Sequence, residues 1–294
     1  MGWAANGLHA VRLALLSALL GSAAATPAWA DPQALQVPSL DRVDGQALSL
    51  PGHWFAARQA GRRPAVVLLH GCGGFRDRQG QIGARYTAMA EALNQAGVHA
   101  LLLDSLTPRA ERELCTQVTG SRRVTQVNRR RDALGALQWL AARSDVDATR
   151  LGLLGWSNGG STVLAATNRR HREVQRAPVL AHLAVAFYPG CEADRSRGYE
   201  GSAPLLMLLG EADDWTPAAP CQALAASANG VRPQVETYPD AHHGFDGTGD
   251  VRRRRDVPNG AHPGQGVHVG GNPAAREAAT LRLWRFLREQ WGVG

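Results

Sequence analysis

The sequence predicts an α/β fold in which a mostly parallel central sheet is covered by helices on both faces. Short, continuous apolar runs recur along the chain with helix-patterned stretches between them, the rhythm of strands buried on both sides. The polar residues of interest fall just after those runs, where open α/β sheets gather their functional groups. The chain has 294 residues, 44% of them apolar and 19% charged, which is ample for a large core and too little charge for general disorder.

The elements follow in order. Ala65–Leu69 is the first clear strand, ending in His70-Gly71-Cys72-Gly73-Gly74. Tyr86–Gln95 has helical periodicity and stops at Gly97. Val98–Leu103 is the next strand, leading into Asp104-Ser105, and Arg130–Arg143 is an amphipathic helix. Arg150–Leu154 is a strand and Asn158–Asn168 a helix. Leu180–Tyr188 and Pro204–Leu209 are two further strands, Val235–Tyr238 is a short last one, and Ala274–Trp291 is a terminal amphipathic helix. Gly247–Asn272, rich in glycine, arginine, proline and histidine, shows no period and reads as a long surface loop. No repeat and no Pro- or Ser-rich linker divides the chain.

Residues 1–30 read as an export signal. Arg12 precedes the apolar stretch Leu13–Leu20, and Ala28-Trp29-Ala30 offers a small-residue cleavage pattern before Asp31. The apolar run falls short of the roughly 20 residues a membrane span needs. A secreted or periplasmic protein is expected, its mature domain spanning 31–294, with no stable membrane anchor. Export makes the four cysteines candidates for disulfides. Three pairings are open. Cys191 with Cys221 and Cys72 with Cys115 is preferred, because each pair would join neighbouring loops at one edge of the expected sheet. Zinc-site spacings are absent and no metal is expected. All 32 basic residues are arginines, giving a formal net charge of +7. They are spread along the chain apart from Arg129–Arg131 and Arg252–Arg255, with no reading motif beside them, so a nucleic-acid partner is not expected. The second run reads as a solvated charge cluster.

In Gly155-Trp156-Ser157-Asn158-Gly159, a serine stands between a strand and a helix, the setting of a nucleophile elbow. The glycines admit a strained turn, and the helix that follows aims its N–H groups at an oxyanion. A serine needs a base to take its proton. In the order serine, acid, histidine, the partners lie late in the chain. Asp213 and Asp214 follow one strand, and His242 and His243 follow the last. His243 is preferred because Gly244 and Phe245 come directly after it, and Asp213 is preferred with Asp214 in reserve.

On HGCGG at 70–74, GWSNGGS at 155–161, GEADDWTP at 210–217 and AHHGF at 241–245, the chain resembles the dienelactone hydrolase family of the α/β-hydrolase superfamily, over roughly Pro64 to Trp291. The resemblance implies the α/β-hydrolase fold and hydrolysis of an ester or lactone. The founding enzymes of that family use a cysteine nucleophile, where this chain has Ser157. The expected roles are Ser157 as nucleophile, His243 as base and Asp213 as its orienter, with the backbone N–H groups of Asn158 and Cys72 forming the oxyanion hole. His70 is expected to support its loop. Trp156, Trp215, Tyr188 and Arg109 sit in loops that should face the site. The two tryptophans either line an acyl pocket or pack on the sheet; Arg109 either binds a substrate carboxylate or makes a loop ion pair. The expected partner is a small-molecule ester or lactone, and no cofactor is implied, since P-loop and dinucleotide fingerprints are absent. A polyester depolymerase or peptidase on the same scaffold, and a catalytically silent binding protein, are the alternatives. Sequence leaves the oligomeric state open.

Overall fold

The computed structural model describes residues 1–3 and 31–293, so the export signal read at 1–30 lies, apart from its first three residues, outside the described residues. The chain begins with β1 (Gln33–Val43) and β2 (Gln46–Phe55), then β3 (Arg63–Leu69), α1 (Ala84–Gln95), β4 (His99–Leu103) and α2 (Gln126–Ala141). Next come β5 (Val146–Trp156), α3 (Asn158–Thr167), α4 (Arg172–Arg176), β6 (Leu183–Phe187), α5 (Glu192–Arg197), β7 (Glu200–Gly201) and β8 (Leu205–Gly210). The last part holds α6 (Ala218–Ser227), β9 (Asn229–Gly230), β10 (Gln234–Tyr238), β11 (Arg252–Arg254), β12 (Val267–Val269) and α7 (Pro273–Trp291).

Eight strands form the main sheet in the order β1-β2-β4-β3-β5-β6-β8-β10. From β4 to β10 every pairing is parallel, whereas β1–β2 and β2–β4 pair antiparallel at one edge. The parallel strands are buried on both faces, which is why they read as continuous apolar runs. Successive residues of β3 point to opposite faces. Ala65, Val67 and Leu69 pack with Leu134 and Leu137 of α2, Val163 and Leu164 of α3 and Leu224 of α6. Val66 and Leu68 pack with Ala90 and Leu93 of α1 and Leu283 and Phe286 of α7. Leu68 and Leu69 are both fully buried, and sequestering side chains of that size stabilises by about 2 kcal/mol each.

Sequence signals set the helix ends. Thr125 and Asn128 form a reciprocal capping box on α2. The Asn272 side chain accepts the N–H of Ala275 at the start of α7, where Pro273 occupies the first turn.

Two regions depart from the sequence reading. The β1–β2 hairpin is absent from that reading, although Asp44-Gly45, both at positive φ (50° and 76°), is a hairpin signal. Gly247–Asn272 is not structureless: β11 pairs antiparallel with β12, and Val257, Val267 and Val269 are buried in a small cluster against Trp215. Arg252–Arg254 form a strand of this flap, and Arg252, Arg253 and Arg255 are exposed, so the run is a solvated cluster with regular backbone pairing. Among the described residues, no helix is long and apolar enough to cross a membrane.

Candidate active site

Three loops at the C-terminal ends of β5, β8 and β10 meet at one rim of the sheet. Ser157 sits between β5 and α3 with φ 54° and ψ −116°, a conformation that strains a non-glycine residue by about 1–3 kcal/mol. The turn closes only because its neighbours lack side chains. A Cβ on Gly155 would lie 2.3 Å from the Gly159 carbonyl oxygen, and one on Gly159 would lie 2.0 Å from that of Leu69. The Ser157 N–H donates to the Phe187 carbonyl at 2.9 Å, and the Ser161 N–H donates back to Ser157 at 2.9 Å.

His243 follows β10 and is held by the flap, where the Gly270 N–H donates to its carbonyl at 3.0 Å. Its Nε2 lies 2.8 Å from Ser157 Oγ, and its Nδ1 lies 2.8 Å from Asp213 Oδ2. Asp213 accepts the N–H groups of Trp215 and Thr216 on Oδ1, both at 2.9 Å. These bonds leave Oδ2 facing the imidazole. All three groups are nearly buried: Ser157 is 9% exposed, His243 5% and Asp213 3%. The chain of hydrogen bonds can pass the hydroxyl proton to the ring while the carboxylate favours the charged imidazolium.

Asp214, the reserve acid, faces away. It pairs with His268 of β12 (2.7 Å) and takes the His268 N–H at 2.8 Å, tying the flap to the β8 loop. Burial acts to raise its pKa, but the hydrogen bonds from His268 prevail and hold it below the usual carboxylate value. His242 bonds the Ala212 carbonyl at 2.8 Å.

The 70–74 loop passes beside the serine, since a Cβ on Gly71 would come 3.7 Å from Ser157 Cβ. The Cys72–Cys115 disulfide and the Tyr86 hydroxyl, which receives the Gly71 N–H at 3.2 Å, hold this loop. Cys191 is bonded to Cys221, so both preferred pairings are present. His70 is fully buried, with Nδ1 2.8 Å from the Gly71 carbonyl and Nε2 accepting the Ser105 N–H at 3.3 Å. Burial, reinforced by nearby Arg129, pushes its pKa down to about 3, so the ring is neutral near pH 7.

Two cavities, about 340 and 530 Å³, adjoin Ser157 and share Cys72, Ser157 and Trp215 as walls. Tyr188 and Trp156 line the smaller one, which also carries Arg85, Arg252 and Arg254. Asn158, Ser161, Thr216 and Pro217 line the larger. Trp215 and Tyr188 flank the imidazole, their ring centroids 4.6 and 4.7 Å from it.

Arg109 does not face the site as expected and takes the ion-pair alternative. It lines neither cavity; its guanidinium is locked between Asp132 and Asp41, at 2.8 Å from each, behind the sheet edge. An arginine this short of water satisfies its fork with buried carboxylates rather than reaching for a ligand.

The sequence reading also misses Thr216 and Asp246. Thr216 Oγ1 lies 3.0 Å from both Asp213 Oδ2 and His243 Nδ1. Asp246 accepts from Trp156 Nε1 (2.9 Å) and the Tyr188 hydroxyl (2.7 Å) and pairs with Arg85 (3.0 Å). Its place three residues after His243 is the available signal.

Known proteins are similar to this chain in sequence or in fold. An uncharacterised protein of Mycobacterium tuberculosis strain CDC 1551 is 26% identical over 252 residues, covering 75% of this chain and 83% of its own. The chain is similar in fold to a dienelactone hydrolase-like promiscuous phosphotriesterase, P91, from metagenomic libraries, with a TM-score of 0.61 at 20% identity, covering 90% of this chain and all of that one. It is similar as well to Thermogutta terrifontis esterase 2, solved phosphorylated by paraoxon, with a TM-score of 0.59 at 18% identity over 91% of this chain and 97% of that one. The model of the dienelactone hydrolase family matches residues 50–290. This α/β-hydrolase chain therefore belongs to the dienelactone hydrolase family.

Proposed function

We propose that the protein is an exported serine hydrolase that cleaves carboxylic esters or lactones through an acyl-enzyme. Ser157 attacks the carbonyl carbon while His243 Nε2 takes its proton, and Asp213 orients the ring and stabilises the imidazolium. The tetrahedral oxyanion is received by the N–H groups of Asn158, at the start of α3, and of Cys72, in the loop beside the serine. His243 then protonates the leaving alcohol and activates the water that releases the acid. The observation that carries this reading is the buried Ser157–His243–Asp213 relay, with both links at 2.8 Å. The two cavities beside the serine suit the acyl and alcohol halves of a small or medium-sized ester.

Export, with cleavage near Ala30, is supported by the pair of disulfides, which persist in oxidising compartments. Because esterase 2 carries a phosphoryl group from paraoxon, organophosphate reagents are fitting probes. A fluorophosphonate should label the mature protein, and Ser157→Ala should abolish both labelling and turnover of p-nitrophenyl esters of graded chain length. Labelling or turnover that survives in Ser157→Ala would refute the assignment.

A further inference from the structure

The relay leaves unused a buried cation that no ion pair accounts for. Arg129, in the first turn of α2, is fully buried. Among the described residues no carboxylate pairs with it; Asp132, one turn further on, is gripped by both terminal nitrogens of Arg109. Burial lowers its pKa to about 10, so it stays charged near neutral pH. Burying a guanidinium without an ion-pair partner is costly and calls for a reason. Its two bonded nitrogens supply one. Nη1 donates to the Asn158 side-chain oxygen at 2.5 Å, and Nη2 donates to the His70 carbonyl at 2.7 Å, while Nε meets no acceptor. These acceptors belong to separate segments, the 70–74 loop after β3 and the start of α3.

We infer that Arg129 is a positioning residue for ester hydrolysis, its buried guanidinium clamping the His70 carbonyl and the Asn158 side chain so that the two segments supplying the oxyanion N–H groups keep a fixed separation. This rests on the hydrolase reading above. The planar fork presents two separate nitrogens to the two acceptors in a fixed geometry, whereas an ammonium offers a single nitrogen on a flexible stem. The same two segments touch where Gly159 packs on Leu69 and His70, so contact sets how near they come and the clamp stops them parting. The fixed positive charge behind the donors also favours the negative charge that develops in front of them.

The test uses the full mature chain as wild type, Arg129→Lys, Arg129→Met, Asn158→Ala, the Arg129→Met/Asn158→Ala double variant, and Ser157→Ala. Arg129→Met should lower kcat about 100-fold with KM within about threefold, and Arg129→Lys about tenfold, in line with effects at oxyanion donors. Affinity for a trifluoromethyl ketone, which forms a hemiketal oxyanion on the serine, should fall in parallel with kcat/KM. A merely structural role would not produce that proportionality. The double variant should lose less than the product of the two single losses, because both break one clamp. Wild-type kcat in Arg129→Met, a loss confined to KM, or multiplicative losses would overturn the inference while Ser157→Ala remains inactive. If Arg129→Met does not fold, wild-type kcat in both Arg129→Lys and Asn158→Ala overturns it. Turnover persisting in Ser157→Ala sinks the hydrolase reading and this inference with it.

Discussion

Asparagine substituted separately at Asp213 and at Asp214 distinguishes two adjacent carboxylates by their hydrogen-bond geometry. Asp213 Oδ1 receives two backbone N–H groups, from Trp215 and Thr216. An amide nitrogen placed there would face two donors, so in Asp213→Asn the new side chain must keep its oxygen at that position and turn its NH₂ toward His243 Nδ1. Nδ1 is then forced to accept, the ring proton moves to Nε2, and the imidazole 2.8 Å from Ser157 Oγ can no longer take the serine proton. The same tautomer error in serine proteases costs on the order of 10⁴ in kcat. Asp214 instead binds His268 at the surface, where the two side chains are 30% and 43% exposed. A pair that wet is worth about 0–1 kcal/mol, so Asp214→Asn should change kcat by no more than about threefold and cost a small part of the stability. Initial rates on a p-nitrophenyl ester, read with thermal unfolding midpoints, separate the two. If Asp214→Asn loses more kcat than Asp213→Asn, with both proteins folded, the relay has been assigned to the wrong acid.

Gly159→Ala should lose about 100-fold in kcat, because its Cβ, 2.0 Å from the Leu69 oxygen, forces α3 and β3 about 1 Å apart, a displacement of the size that costs catalysis that much. Near wild-type rates in this variant would show that the close approach is not required. His70 predicts an acid-side stability loss. Its folded pKa of about 3 lies below the ordinary histidine value of 6.5. Between those values the unfolded chain binds the proton and the folded protein does not, so stability falls as pH drops through this window, by up to about 1.4 kcal/mol per unit. Urea unfolding between those pH values should show a shallower slope in His70→Asn, and an unchanged slope would refute the assignment.

Much of the fold is legible because a parallel sheet buried on both faces must be built from continuous apolar segments, and β3, β4, β5, β6 and β8 announce themselves as such. The β1–β2 hairpin is obscured by Pro38 and Pro51, which lower the strand reading of their segments. Pro38 is tolerated because β1 is the sheet edge, and the β2–β4 ladder begins only at Gly52. The flap is hidden for another reason. Its strands are three residues each and its core is three valines against Trp215, too little for a periodic signal. Arg129 reads only as part of a basic run, because sequence cannot say that a charged position on a helix faces inward.

What the sequence determined by itself is the part of the protein set by local rules: apolar runs that must be strands in a covered sheet, the glycines that let Ser157 take its strained turn, and the order of serine, acid and histidine. What only the tertiary structure decided is which of the adjacent carboxylates meets His243, that Arg109 turns to Asp41 and Asp132, and that Arg129 lies beneath the serine turn. Those outcomes depend on the rotation of one side chain or the facing of one helix position. They are settled by contacts between residues tens of positions apart, to which a local pattern is blind.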